Sequence, residues 1–252
     1  MAQLQRLAIA LSQLENQQIT LTGQQQHYLY RVLRLRGGDR FMAMDGSGHC
    51  WLAELGAIEA VAMIKEEIFT QSELNIDVTL MAALPKGNSF DDVVRQSVEL
   101  GVYCIMPVVS DRTLLNPSSQ KVERWRRIAV EAAEQSERQI IPTILEPISF
   151  RIAVENCQQK YRYICVTRRD ARHLLDCLLE SGIEQQKADE LPITNYQSIV
   201  IAIGPEGGWI NEEVERAIEF SFEPVSLGNR ILRAVTAPIV ALSMISGIFD
   251  RG

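Results

Sequence analysis

Short apolar stretches broken by turn residues mark the first seventy residues, so Gln18–Leu21, Arg40–Met44, Cys50–Leu55 and Ala60–Ile64 each read as a strand. Gly37-Gly38 and Asp45-Gly46-Ser47-Gly48 separate them, the second being a strong hairpin signal. One helix is predicted within this stretch, from Gln24 to Leu35, because His27, Tyr30, Val32 and Leu33 do not alternate. The expectation is a small β-barrel-like module over residues 1–70, ending at the polar Thr70–Glu73.

The rhythm then changes, and residues 74–252 are expected to form one α/β domain. Ile76–Leu84 predicts a buried strand, and Ser89, a plausible N-cap, opens a helix that reaches Leu100 with Phe90, Val93, Val94, Ser97 and Val98 on one face. Gly101 stops it and Val102–Val109 supplies the next strand. A helix over Lys121–Glu137 buries Val122, Trp125, Ile128, Ala129, Ala132 and Ala133 at helical spacing. Further strands are predicted at Tyr163–Thr167, Ser198–Ile203 and Pro224–Leu227, with helices near Arg172–Ser181, Asn211–Phe220 and Thr236–Phe249. Apolar runs without alternation, interleaved with helices, predict a mostly parallel sheet covered on both faces, whose ligands lie beyond the carboxyl ends of its strands.

Two stretches sit at such ends. In Gly204-Pro205-Glu206-Gly207-Gly208 the glycines permit close approach to the backbone and Pro205 stiffens the turn. Asn211 is expected to cap the helix that follows, with Glu212 and Glu213 in its first turn, where they repel a phosphate. The P-loop's Lys-Ser/Thr is also missing, and no dinucleotide fingerprint occurs. In Leu227-Gly228-Asn229-Arg230-Ile231-Leu232-Arg233, two arginines flank a pair of large apolar residues after a strand. Backbone groups there can meet an adenine edge, Ile231 and Leu232 its face, and Arg233 an anionic substrate.

Composition narrows the classes. Among 252 residues no apolar run has the length of a membrane span, and the start lacks a signal peptide's pattern, so a cytoplasmic protein without membrane association is expected. Cys50, Cys104, Cys157, Cys165 and Cys177 are scattered, which fits free thiols; His27, His49 and His173 lie too far apart for a metal site or a triad pattern. A net charge of −7 argues against general coating of nucleic acid, but His27–Arg40 and Lys121–Arg127 are basic, aromatic clusters. A solvated helix face with arginine stems over apolar surface accounts for each of them equally well.

Gly204–Gly208 and Leu227–Arg233, together with Lys86-Gly87, Gln96–Val102 and the run from Ala129 through Arg138 to Pro142, resemble the RsmE family over essentially the whole chain. That resemblance implies a SPOUT-type α/β trefoil-knot domain preceded by a PUA-like β-barrel carrying Arg31-Val32-Leu33-Arg34. It implies a homodimer that uses S-adenosyl-L-methionine to methylate uridine N3 in 16S rRNA of the small ribosomal subunit. Thr167, Gly204, Pro205, Glu206, Gly207, Gly208, Leu227, Gly228, Ile231, Leu232 and Arg233 would form the cofactor site. Arg233 is the first choice for stabilising charge on uracil, Glu206 a weaker one for proton removal or a structural carboxylate. Arg31, Arg34, Arg36 and Arg138 are expected at RNA, Arg138 with the alternative of satisfying Glu131, Glu134 and Glu137. One position departs from the family pattern: Val235 stands where Arg-x-Glu-Thr-Ala would place an acid. Two rivals stay open, a non-catalytic RNA-binding or ribosome-assembly factor, and a related enzyme modifying another position of ribosomal or transfer RNA.

Overall fold

A computed structural model describes residues 4–113, 117–183 and 197–250; the outermost residues of both expected domains, 1–3 and 251–252, lie outside them. The chain divides into two compact units, one of residues through Glu73 with Ala133–Ile141, the other of Leu74–Ala132 and the chain from Pro142 onward.

In the first unit, β1 (Arg6–Ala8), β2 (Leu14–Glu15), β3 (Gln18–Thr20), β4 (Arg40–Met44), β5 (Cys50–Leu55) and β6 (Val61–Glu67) form a sheet in the order β1-β4-β5-β6-β3-β2. Only β1 with β4 is parallel. The expected barrel-like module takes the form of a curled sheet, in which no ladder joins β1 to β2 among the described residues. Ile19, Leu29, Phe41, Ala43, Ala53, Leu55 and Ala62 fill its core. The predicted helix at Gln24 is a short α1 (Gly23–Gln26), with Thr22 as N-cap, continued by a π turn over His27–Val32.

The second piece of this unit explains Arg138. The arginine is buried, and its Nη2 and Nε donate to Glu73 Oε2 at 2.6 and 2.9 Å. Glu73 Oε1 accepts the backbone N–H groups of Gln139 and Ile140 at 3.0 and 3.1 Å. The expectation of Arg138 at RNA is therefore corrected: a guanidinium enclosed to 4 % side-chain exposure has no surface left for a phosphate.

The second unit contains β7 (Asp77–Ala83), α2 (Phe90–Glu99), β8 (Cys104–Val109), α3 (Ser119–Gln135, its last turn counted with the first unit), β9 (Thr143–Ile144), β10 (Ile148–Ser149), α4 (Phe150–Glu155), β11 (Tyr161–Cys165), β12 (Arg172–His173), α5 (Leu174–Glu180), β13 (Ser198–Ile203), α6 (Asn211–Glu219), β14 (Glu223–Ser226) and α7 (Thr236–Phe249). The strands run β10-β8-β7-β13-β11-β14-β12, with β9 also on β8, and every pair is parallel. β7 and β13 are buried after their first residue, which is why their sequences do not alternate. Ser89 stands at the α2 N-cap as expected, but its side chain makes no capping bond. Instead Asp91 in the first turn is buried and accepts from Trp125 Nε1 at 3.1 Å and Arg124 Nε at 2.8 Å. No helix among the described residues is long and apolar enough to cross a membrane.

Glu73→Gln takes a carboxylate away from the buried Arg138 guanidinium. Glu73→Gln should lower urea-unfolding stability by about 3 kcal/mol; a loss below about 1 kcal/mol would show that Arg138 is satisfied without it.

Candidate active site

β13, β11 and β14 are neighbours and parallel, so their carboxyl ends emerge side by side. Beyond them the chain must leave the sheet, and the loops that follow enclose a cleft of about 310 Å³. After β13, Gly208 N donates to Pro205 O at 2.8 Å, closing a turn that needs Gly208 at φ +68°. A Cβ on Gly204 would lie 3.2 Å from the Trp209 ring, so glycine lets the indole fold against the turn. Trp209 stacks on Phe150 with centroids 4.1 Å apart, and its Nε1 is enclosed with no partner among the described residues. After β14, Gly228 takes φ +109° while its N–H donates to Ser226 Oγ at 3.1 Å. The main chain of Ile231 and Leu232 makes no hydrogen bond to the described residues.

The expected cap of α6 is corrected. Ile210 is the N-cap and Asn211 the first helical residue, lining the cleft instead. Glu213 supplies the capping, its Oε2 accepting from Ile210 N at 2.9 Å while Oε1 accepts from Asp111 N at 3.0 Å. Burial raises the Glu213 carboxyl above its ordinary range, against the lowering effect of these two N–H groups. Through Asp111 this carboxylate holds the loop from which Arg112 donates to the Gly207 carbonyl.

Thr167, Gly204, Pro205, Gly207, Gly208, Leu227, Gly228 and Leu232 line the cleft. Glu206, Ile231 and Arg233 do not. Glu206 is exposed and its Oε1 accepts from Lys86 N at 2.9 Å, a contact that fits the structural alternative, a carboxylate that ties its turn to the loop after β7. Ile231 is 65 % exposed. Arg233 is exposed too, and its carbonyl accepts from Thr236 and Ala237 N–H at 2.9 Å, beginning α7. With Val235 in place of an acid, its guanidinium has no partner among the described residues.

Sequence reasoning missed Arg112, Arg168, Arg169, Trp209, Asn211 and Arg230, all on the cleft wall. Trp209 follows the glycine pair directly and was legible; Arg112 lies far away in sequence and carried no signal. Arg168 holds φ +58°, a conformation side chains disfavour, and Arg169 pairs with Glu215 at 2.5 Å. Four arginines and no carboxylate or histidine line the cleft. It therefore suits a ligand with an anionic end and an apolar, flat body held by backbone groups. Burial pushes the Cys165 thiol well up, so it is no nucleophile, and no metal-binding cluster occurs among the described residues. Arg31, Arg34 and Arg36 lie in the first unit, exposed and without side-chain partners among the described residues.

Residues 72–246 match a family described as the RNA methyltransferase domain, and residues 21–62 one described as the RNA methyltransferase PUA domain. The chain is 44 % identical over 248 residues to the ribosomal RNA small subunit methyltransferase E of a Synechocystis species, covering 97 % of this chain and 78 % of that one. It is 30 % identical over 234 residues to the protein of the same name in Bacillus subtilis, covering 90 % and 89 %. Among solved structures, the Neisseria gonorrhoeae ribosomal RNA small subunit methyltransferase E bound to S-adenosyl methionine superposes with a TM-score of 0.82 at 28 % identity, over 98 % of each chain.

Because its folded pKa is raised, Glu213 costs stability once ionised, and the loss sets in as pH rises above the ordinary carboxyl range. The urea-unfolding stability of wild type minus that of Glu213→Gln should therefore shrink between about pH 4 and about pH 7; a difference that grows over that interval would contradict the raised pKa.

Proposed function

The chain belongs to the ribosomal RNA small subunit methyltransferase E family, and from that premise we propose that it methylates N3 of an unpaired uridine in 16S rRNA. It is an S-adenosylmethionine-dependent RNA methyltransferase. The observation that carries the reading is the cleft at the ends of β13, β11 and β14, with two glycine-bearing turns and an arginine-lined wall. Its chemistry fits the donor: Leu227 and Leu232 offer apolar surface for a purine, the Gly204–Gly208 turn and the unpartnered main chain of Leu232 offer backbone groups, and arginines meet a carboxylate. The enclosed, unpartnered Trp209 Nε1 marks a polar atom that a bound molecule would satisfy.

When bound, S-adenosylmethionine supplies an electrophilic methyl group on a sulfonium. The chain's own task is to align the two reactants, exclude water and stabilise the negative charge left on uracil as the N3 proton departs. Arg230 on the cleft wall and Arg233 beside it, both without carboxylate partners among the described residues, take the last role. N3 lies on the pairing edge, so the uridine enters extruded or unpaired. Arg31, Arg34 and Arg36 are assigned to flanking RNA.

The partner we assign is a second copy. α7 is apolar over most of its circumference, interrupted by Thr236, Ser243 and Ser246, with Ile239, Val240 and Met244 left only partly buried, as expected of a helix that another surface covers. The trefoil threading of this segment belongs to the same reading.

Purified protein incubated with methyl-labelled donor and unmethylated small subunits should yield 3-methyluridine on nucleoside digestion; label in a ribose-methylated or other nucleoside would reassign the position, and donor binding without transfer would support an assembly factor. Sedimentation should give twice the chain's 28.4 kDa, with Ile239→Asp shifting the protein to single copies.

A further inference from the structure

In the first unit a second concavity of about 420 Å³ opens between the end of the π turn and the β5–β6 loop. Its wall carries Tyr30, Arg31, Arg34 and Arg36, its other side Gly56 and Glu59. The chain has an unusual conformation here. A regular helix would place Arg31 on the same face as Leu35, which packs on the core. Instead Leu33 N reaches Tyr28 O at 2.9 Å and Leu35 N reaches Leu29 O at 3.0 Å, five and six residues back, and Arg34 takes φ +59°. Leu29, Leu33 and Leu35 thereby meet the core while all three arginines stay exposed. Left-handed arginine is costly backbone, and such cost concentrates at working sites.

Three further observations converge on the same place. A Cβ on Gly37 would come within 2.9 Å of Gly56 O, so the two loops meet only because this position has no side chain. Most arginines of this acidic chain are paired or hydrogen-bonded, whereas these three have no side-chain partner among the described residues. The Tyr30 hydroxyl oxygen is enclosed and also lacks a partner. Desolvation, with the charge of Glu59 adding to it, raises the phenol above its ordinary range, so the group stays a donor.

We infer that this concavity is a nucleotide pocket, which takes one unpaired RNA nucleotide outside the methylated position. The arginines hold the phosphates on either side of it, and the Tyr30 hydroxyl donates to an acceptor on the base. Its size lies in the range of small-molecule sites, about 300–1,000 Å³. Single-stranded RNA is read in this manner, by splaying bases into protein pockets. The inference rests on the RNA-methyltransferase reading but goes beyond charge attraction: it makes the first unit a reader of one flanking nucleotide.

The probe is a fluorescein-labelled oligouridine hexamer bound to the full chain. Tyr30→Phe should weaken binding about fivefold with the salt dependence unchanged. Alanine at Arg31, Arg34 or Arg36 should reduce the slope of log affinity against log salt by about 0.7 for each arginine removed. On the wild-type protein, a hexamer carrying 4-thiouridine should crosslink within residues 28–36 or 56–59, a readout independent of whether any variant folds. Unchanged binding by Tyr30→Phe with crosslinks elsewhere, while the arginine variants still lose salt dependence, would overturn the pocket and leave only a phosphate-binding surface. Arginine variants that bind as wild type would overturn the inference together with the RNA role of this unit, and leave the methyl-donor cleft untouched.

Discussion

The parallel register of β11 between β13 and β14 is the constraint from which the site follows. A strand buried on both faces satisfies its polar backbone only through its neighbours, so the ladder holds until the chain turns out of the sheet. The last bond of this kind is Val166 N to Val225 O at 2.9 Å. Past it β11 and β14 are no longer bonded to each other, although β14 still pairs with β12 through Ser226 and His173, and the segments that follow β13, β11 and β14 leave in one direction. Glycine at 204 and 208 after β13 and at 228 after β14, and the left-handed Arg168 after β11, turn these segments so that all three line one cleft.

Around that cleft the side chains act mainly on one another. Glu213 fixes the N-terminus of α6 and the Asp111 loop, Arg112 closes onto the Gly207 carbonyl, and Glu206 ties its turn to Lys86. These contacts restrain loops that the sheet itself does not hold, and orientation of reactants is the larger part of what a methyl-transfer site must supply. The charge distribution has the same logic. Carboxylates neutralise many of the arginines, Arg169 at the cleft among them, while the side chains of Arg168 and Arg230 at the cleft and of Arg31, Arg34 and Arg36 at the π turn have no partner among the described residues. A net acidic protein can thus attract RNA at chosen places and not elsewhere.

Much of this was legible in the sequence. The uninterrupted apolar runs of β7 and β13 led to a parallel sheet, and the two glycine motifs to its strand ends. Side-chain roles were less accessible, because they depend on which way a residue faces after the turn. Glu206 and Arg233 stand inside the motifs yet outside the cleft, whereas Arg112 enters it from a loop with no motif. Arg138 reads as one more basic residue, and only the return of its segment to Glu73 buries it. The π turn is invisible to periodicity: the helix predicted from Gln24 to Leu35 has the wrong winding and runs past the turn's end at Val32. Short strands such as β9 and β12, two residues each, carry too little pattern to be found.

Hydrogen exchange of backbone amides, followed by mass spectrometry with and without S-adenosylmethionine, tests the common origin of these loops most directly. Protection should rise together in Val166–Arg169, Gly204–Trp209 and Leu227–Ala234, with the segments of the first unit unchanged. Protection confined to one of the three loops, or centred on the first unit, would contradict a single site built from three strand ends.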